Sequence, residues 1–123
     1  MSETGDGLST GREWAFYVAD MIHFTEAVLT YTSGIDLPAF QQDRRTYDAT
    51  LRNLELIGEA ATHIPASIRE SATAVPWRML IATRNRLIHG YLGIDDDTIW
   101  SIVQGDIPAL LQALRQLRSE STL

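Results

Sequence analysis

The residues that could do chemistry lie close together, in the run Arg84-Asn85-Arg86-Leu87-Ile88-His89-Gly90-Tyr91. A guanidinium presents a rigid fork of donors that matches two oxygens of a phosphate, and an imidazole holds or releases a proton near neutral pH. Stabilising a developing anion while moving a proton is the work of general acid–base catalysis. Asn85 precedes His89 by four residues, so its amide lies on the same side of a helix and could orient one ring nitrogen. Tyr91 follows Gly90, where the chain leaves the helix.

The helix under these residues opens at Pro76, runs from Trp77 to about Ile88 and closes at Gly90 as a left-handed cap. Its apolar stripe is Trp77, Leu80, Ile81, Leu87 and Ile88, and Arg84 stands in the middle of it. A guanidinium on an apolar face is costly unless a carboxylate or a partner surface satisfies it. Arg84 and His89 are also about 140° apart on an ideal helix, so one helix presents them poorly to a single phosphate. Two copies of the helix meeting across a two-fold axis would bring both residues of both chains into one cleft, which points to a symmetric dimer. Plainer roles stand beside these. Arg84 could be a structural ion-pair partner of Glu55 or Glu59 on the long second helix, His89 a cap that complements the helix dipole, and Tyr91 a lid on the core.

The elements that must position this helix are also helices. Thr10 and Glu13 form a capping box, which places the first helix from about Arg12 to Thr32 and leaves residues 1–9 as a flexible tail. Ser33-Gly34 ends it, Asp36 and Pro38 open a second start, and the stretch from Asp43 to His63 has strong helix formers and no proline. Gly58 interrupts the stripe Tyr47, Leu51, Leu54, Ala61; a mid-helix glycine costs about 1 kcal/mol against alanine, so something must approach the backbone there. Asp95-Asp96-Asp97 opens the last helix, and Pro108 lies within its apolar pattern, where it should kink or break the helix near Gln104 to Asp106. No alternating period-two run of useful length is present. The reading is all-α: a single domain over 1–123 folded as an up-and-down bundle of four to five helices.

Composition narrows the function. The chain has 123 residues, no cysteine and a net charge of −6, so a disulfide framework and a thiolate metal site are excluded. All ten basic residues are arginines, and the acidic balance argues against a protein that coats nucleic acid by bulk charge. No basic stretch followed by an apolar one opens the chain, and no apolar run approaches the ~20 residues of a membrane span, so a cytoplasmic protein is expected. Asp20 and His23 share a helix face without a third ligand at convincing spacing, and His63 and the Asp95–Asp97 triplet are explained as helix caps. Neither a metal nor a cofactor is expected.

Taken together, Arg84 to Tyr91 matches an R-x4-H-x-Y pattern and resembles the signature of HEPN domains, more narrowly the HepT toxins of HepT/MntA toxin–antitoxin systems. The likeness extends to Ile57-Gly58-Glu59-Ala60, Pro76-Trp77, Asp95 through Trp100, and Asp106-Ile107-Pro108, and it covers roughly Trp14 to Leu117. The resemblance implies a HEPN-like homodimer whose signature helices line a shared cleft, with Arg84 and His89 as the catalytic pair of a metal-independent ribonuclease; Asn85 supports the pair through its spacing from His89. It further implies a toxin of a type VII-like system, cutting RNA through the substrate's own 2′-hydroxyl. A cognate MntA-like nucleotidyltransferase antitoxin would silence it by adding AMP to Tyr91, and larger hetero-oligomers of the dimer with that antitoxin are part of the same expectation. The competing reading is a non-catalytic helical interaction module that binds a minimal nucleotidyltransferase or its nucleotide.

Overall fold

A computed structural model describes residues 2–90 and 93–121, with side chains from Glu13 onward. The described residues form seven α-helices and no strand: α1 Ser2–Thr32, α2 Leu37–Gln42, α3 Arg44–Thr62, α4 Ala66–Ser71, α5 Trp77–His89, α6 Asp96–Ser101 and α7 Ile107–Ser121. A π-helical turn, Ile102–Asp106, joins α6 to α7, so four rods carry the fold and α2 and α4 are short connectors. The all-α bundle expected from the sequence is the fold observed.

Local chemistry sets most boundaries. Asp36, Asp43 and Asp95 each accept a backbone N–H three residues on, capping α2, α3 and α6. Gly34 and Gly90 take positive φ, +76° and +57°, where a side chain would be strained, and so end α1 and α5. Pro108 is accommodated by the π turn just ahead of it, which widens the helix where the proline cannot continue the regular ladder. The start of α1 is a correction. The helix begins at Ser2, so Thr10 and Glu13 lie within it and do not cap it. Extending a helix from turns already nucleated by packing costs little per residue, and a capping box need not be used when the backbone N–H groups ahead of it find helical partners.

The core is built by Val18, Met21 and Val28 of α1, Ile57 of α3, and Ile99, Val103, Ile107, Leu110 and Leu114 of the last rod, with Phe40 of α2 plugging one end; all are fully buried. Helix α3 runs back along α1, so that His63 at its end stacks on Tyr17 with ring centroids 4.6 Å apart. The start of α3 is tied to the start of α6 by Tyr47, whose hydroxyl donates to Asp96 Oδ1 at 2.6 Å. That bond, with some burial, pushes the Tyr47 hydroxyl up to about 12. Helix α7 packs on α1, α1 on α3, and α3 on α5, which leaves α5 on the edge of the bundle. None of the described helices is long and apolar enough to cross a membrane.

Candidate active site

Helix α5 is held against α3 through one close approach. A Cβ on Gly58 would overlap the Arg84 Cβ and lie 2.5 Å from the Leu80 carbonyl oxygen. The glycine therefore has the role its position in α3 suggests: it removes the side chain where α5 crosses. At 100° per residue, Leu80 and Leu87 mark the centre of the face turned to α3. Thr83 lies about 60° to one side and Ile88 about 80° to the other. Trp77, Leu80 and Thr83 are buried, Ile81 and Leu87 are half-buried, and Ile88 is 45% exposed. The stripe read from the sequence is thus displaced toward Thr83, and Ile88 stands outside it.

Arg84 sits about 40° from the centre of this face, with its side chain 27% exposed. Its Nη2 donates to Glu59 Oε1 at 2.6 Å and its Nη1 to Asn85 Oδ1 at 2.7 Å, while Nε is buried without a partner among the described residues. Of the two carboxylates on α3 that the sequence offered, Glu59 is the partner. Glu59 turns its other oxygen to His63 Nε2 at 3.4 Å. A polar line therefore runs Asn85, Arg84, Glu59, His63, and ends on the stacked ring of Tyr17. His63 caps α3, as its position suggests, and also braces Glu59; the Glu59–His63 spacing of four residues was the signal for that second role.

The structure brings Arg84 and Asn85 together but joins neither to His89 by any described contact. The amide of Asn85 engages Arg84, not the imidazole. His89 is exposed, about 180° from Leu80 and so on the outer side of α5, away from α3. Arg78 and Asn85 project to that same outer side, at about 160° and 140°. By accepting from Arg84, Asn85 draws the guanidinium from the flank of the α3-facing side toward the side that carries His89. Tyr91 lies outside the described residues.

The Arg84 guanidinium holds the Glu59 carboxyl below its ordinary value, against an opposing cost of burial and with His63 adding to the lowering. A carboxyl lowered in the folded state contributes stability above its unfolded value and loses it as acid protonates the folded protein. The melting temperature of the parent should therefore exceed that of Glu59→Gln at neutral pH, and the gap should close as pH falls through and below 4.5, the ordinary value for this group. A gap that is constant from neutral to acid pH, measured by thermal melts, would show that the ion pair does not act as the geometry suggests.

Comparison with known proteins places the chain in a family. The family model described as "Ribonuclease HepT-like" matches residues 21–117. A protein of Thermococcus cleftensis named a probable ribonuclease HepT is 35% identical over 102 residues, covering 83% of this chain and 93% of the relative. A protein of Methanocaldococcus jannaschii that carries an RNase designation is 35% identical over 99 residues, 80% of this chain and 91% of its own length. One from Caldanaerobacter subterraneus subsp. tengcongensis, also designated an RNase, is 31% identical over 101 residues, 82% and 90% of the two chains. No solved structure matches significantly. With the family match spanning α1 to α7 and including Glu59, Arg84 and His89, the chain belongs to the HepT-like ribonucleases of the HEPN superfamily.

Proposed function

We propose that the chain is a metal-independent ribonuclease whose catalytic residues are Arg84 and His89, with Asn85 supporting Arg84. The observation that supports this most is the hold on Arg84. Glu59 and Asn85 each take one guanidinium N–H, which fixes the fork and leaves further N–H groups for the oxygens of an RNA phosphate. In the reaction the 2′-oxygen of a ribose attacks the adjacent phosphorus as its proton passes to a base. The bond from phosphorus to the 5′-oxygen breaks, and that oxygen takes a proton. The products are a 2′,3′-cyclic phosphate and a free 5′-hydroxyl. Imidazoles move the protons, and Arg84 meets the negative charge that builds on the phosphorane oxygens.

The proposal includes a homodimer. His89 and the centre of the α3-facing side point in opposite directions on α5, and the helix packs chiefly on α3 at the edge of the bundle with Ile88 exposed. A second copy crossing near Ile88 would bring two arginines and two histidines into one cleft. The finer identity proposed is a toxin paired with a nucleotidyltransferase antitoxin. That partner would transfer AMP to the hydroxyl of Tyr91, the third position of the R-x4-H-x-Y pattern, with loss of pyrophosphate from ATP. Each AMP adds a negatively charged phosphate two residues from His89, where it repels and occludes RNA.

The test is the purified chain incubated with total RNA in EDTA, with the ends of the fragments identified. Cleavage that yields 2′,3′-cyclic phosphate ends is expected. No cleavage, or cleavage that needs added metal, would overturn the catalytic reading in favour of a module that only binds a nucleotidyltransferase. Intact mass after co-expression with a neighbouring nucleotidyltransferase reads the modification separately, as a gain of one or more AMP units mapping to Tyr91.

A further inference from the structure

The site just described lies toward the C-terminal end of α5, and a groove beside the rest of the helix shares only Asn85 with it. Helices α4 and α5 border an open groove of about 590 Å³ whose lining includes Arg69, Glu70, Arg78, Ile81, Ala82 and Asn85. The chain carries six more acidic than basic residues, and several of its described arginines are neutralised, as Arg44, Arg52 and Arg115 are by Asp48, Glu55 and Glu26. Among the described residues neither Arg69 nor Arg78 has a carboxylate partner, and the buried Arg69 Nε has no hydrogen-bond partner. Arg69 and Arg78 share this groove with a single carboxylate, Glu70, so the groove carries a local positive excess on a chain of net negative charge, and an anion is favoured there.

The groove also has a direction. Arg78, Ala82, Asn85 and His89 fall at i, i+4, i+7 and i+11, one row along the outer side of α5 that rises about 16 Å from the groove to the imidazole. Asn85 belongs to both places, because it lines the groove and accepts from Arg84. The apolar side chains of Ile81 and Ala82 lie between the arginines and Asn85, where a flat base can rest without losing hydrogen bonds. Glu70, exposed, is the one carboxylate in the lining.

We infer that the α4–α5 groove is a substrate-strand subsite: Arg69 and Arg78 hold phosphates of single-stranded RNA a few nucleotides from the scissile one, guiding the strand along α5 to His89. The inference rests on the ribonuclease reading and extends it by assigning residues that bind substrate without taking part in bond breaking. Glu70 limits affinity at the same place, so that product can leave.

Binding of a short fluorescein-labelled 2′-O-methyl RNA, measured by anisotropy over a range of salt, tests the subsite without requiring cleavage. Arg78→Ala should weaken binding about five- to tenfold, and should lower the slope of log affinity against log salt by about 0.7, the loss of one phosphate contact on a single strand. Arg69→Gln should act in the same direction. Glu70→Gln should tighten binding. Arg78 and Glu70 are exposed, so their variants keep the test decisive if the Arg69 variant folds poorly. With cleavable RNA, Arg78→Ala should raise KM and leave kcat near the parent value. Unchanged affinity and salt slope in both Arg78→Ala and Glu70→Gln would overturn the subsite even if the parent cuts RNA. So would a shift in sedimentation from dimer to monomer with RNA affinity per dimer unchanged, because the groove would then be a contact between copies. Failure of the parent to cut RNA in EDTA, with these binding changes present, would instead count against the catalytic reading alone.

Discussion

His89→Ala is expected to lower the rate of RNA cleavage by about 10²- to 10⁴-fold, the range that a positioned general acid or base contributes. The melting temperature should stay at the parent value. The side chain is exposed at the end of α5, on the side turned away from α3, and surface substitutions of this kind usually change stability by no more than about 0.5 kcal/mol. The combination is what makes the result diagnostic. Loss of activity with an unchanged melt assigns the loss to chemistry, whereas parent-like cleavage by His89→Ala would remove the imidazole from the mechanism. The kinetic constants sharpen this further. A proton-transfer role lowers kcat and kcat/KM together, while a group that only helps to bind RNA raises KM with kcat unchanged. His89 and Arg78 share one row of α5 and should separate on this criterion, the first acting on kcat and the second on KM.

Much of this site could be read from the residues, and the parts that could not were those that depend on register between helices. Arg84 was conspicuous because a guanidinium interrupts an apolar stripe, and Gly58 because a glycine interrupts a good helix. Each is an anomaly in the sequence, but only the packed structure shows that they are the same contact. Glu55 and Glu59 were equally good partners for Arg84 on spacing alone. They lie one turn apart on α3, and the choice between them is made by the level at which α5 crosses, which the missing side chain of Gly58 sets. Asn85 was assigned to His89 by helical spacing, four residues apart on one side. It bonds to Arg84 because the arginine side chain is long enough to double back to its neighbour, a contact that rules built on i, i+4 spacing do not anticipate. Asp96 shows the same limit away from the site. It was read as a carboxylate suited to a helix N-terminus, and it is one, but it also receives Tyr47 and Gln41 from elements about fifty residues earlier. Separation of that kind leaves no local signature.

The consequence of the Gly58 contact is a second large effect, from the smallest possible change. In an ordinary helix Gly→Ala is favourable by about 1 kcal/mol. Here the new methyl group would meet Arg84 Cβ and the Leu80 backbone oxygen, which are parts of α5 that no rotamer change can move aside. The two helices must separate, and overpacking of this kind costs about 1–3 kcal/mol or more, so the helix-propensity gain is outweighed. Gly58→Ala should therefore melt several degrees below the parent. Cleavage should fall by about 10²-fold at temperatures where the variant is still folded, because a shift of about 1 Å in catalytic groups has that effect. The displaced atom is the root of the Arg84 side chain, and its bonds to Glu59 and Asn85 both depend on where that root lies. Gly105→Ala is the matched control: a Cβ there meets nothing within 4 Å, so the same substitution should leave the activity at the parent value and the melt at or slightly above it. If Gly58→Ala were as stable and as active as Gly105→Ala, α5 would not be seated against α3 at this point. The placement of the guanidinium beside Glu59 would then be wrong, since both follow from the same approach of the two backbones.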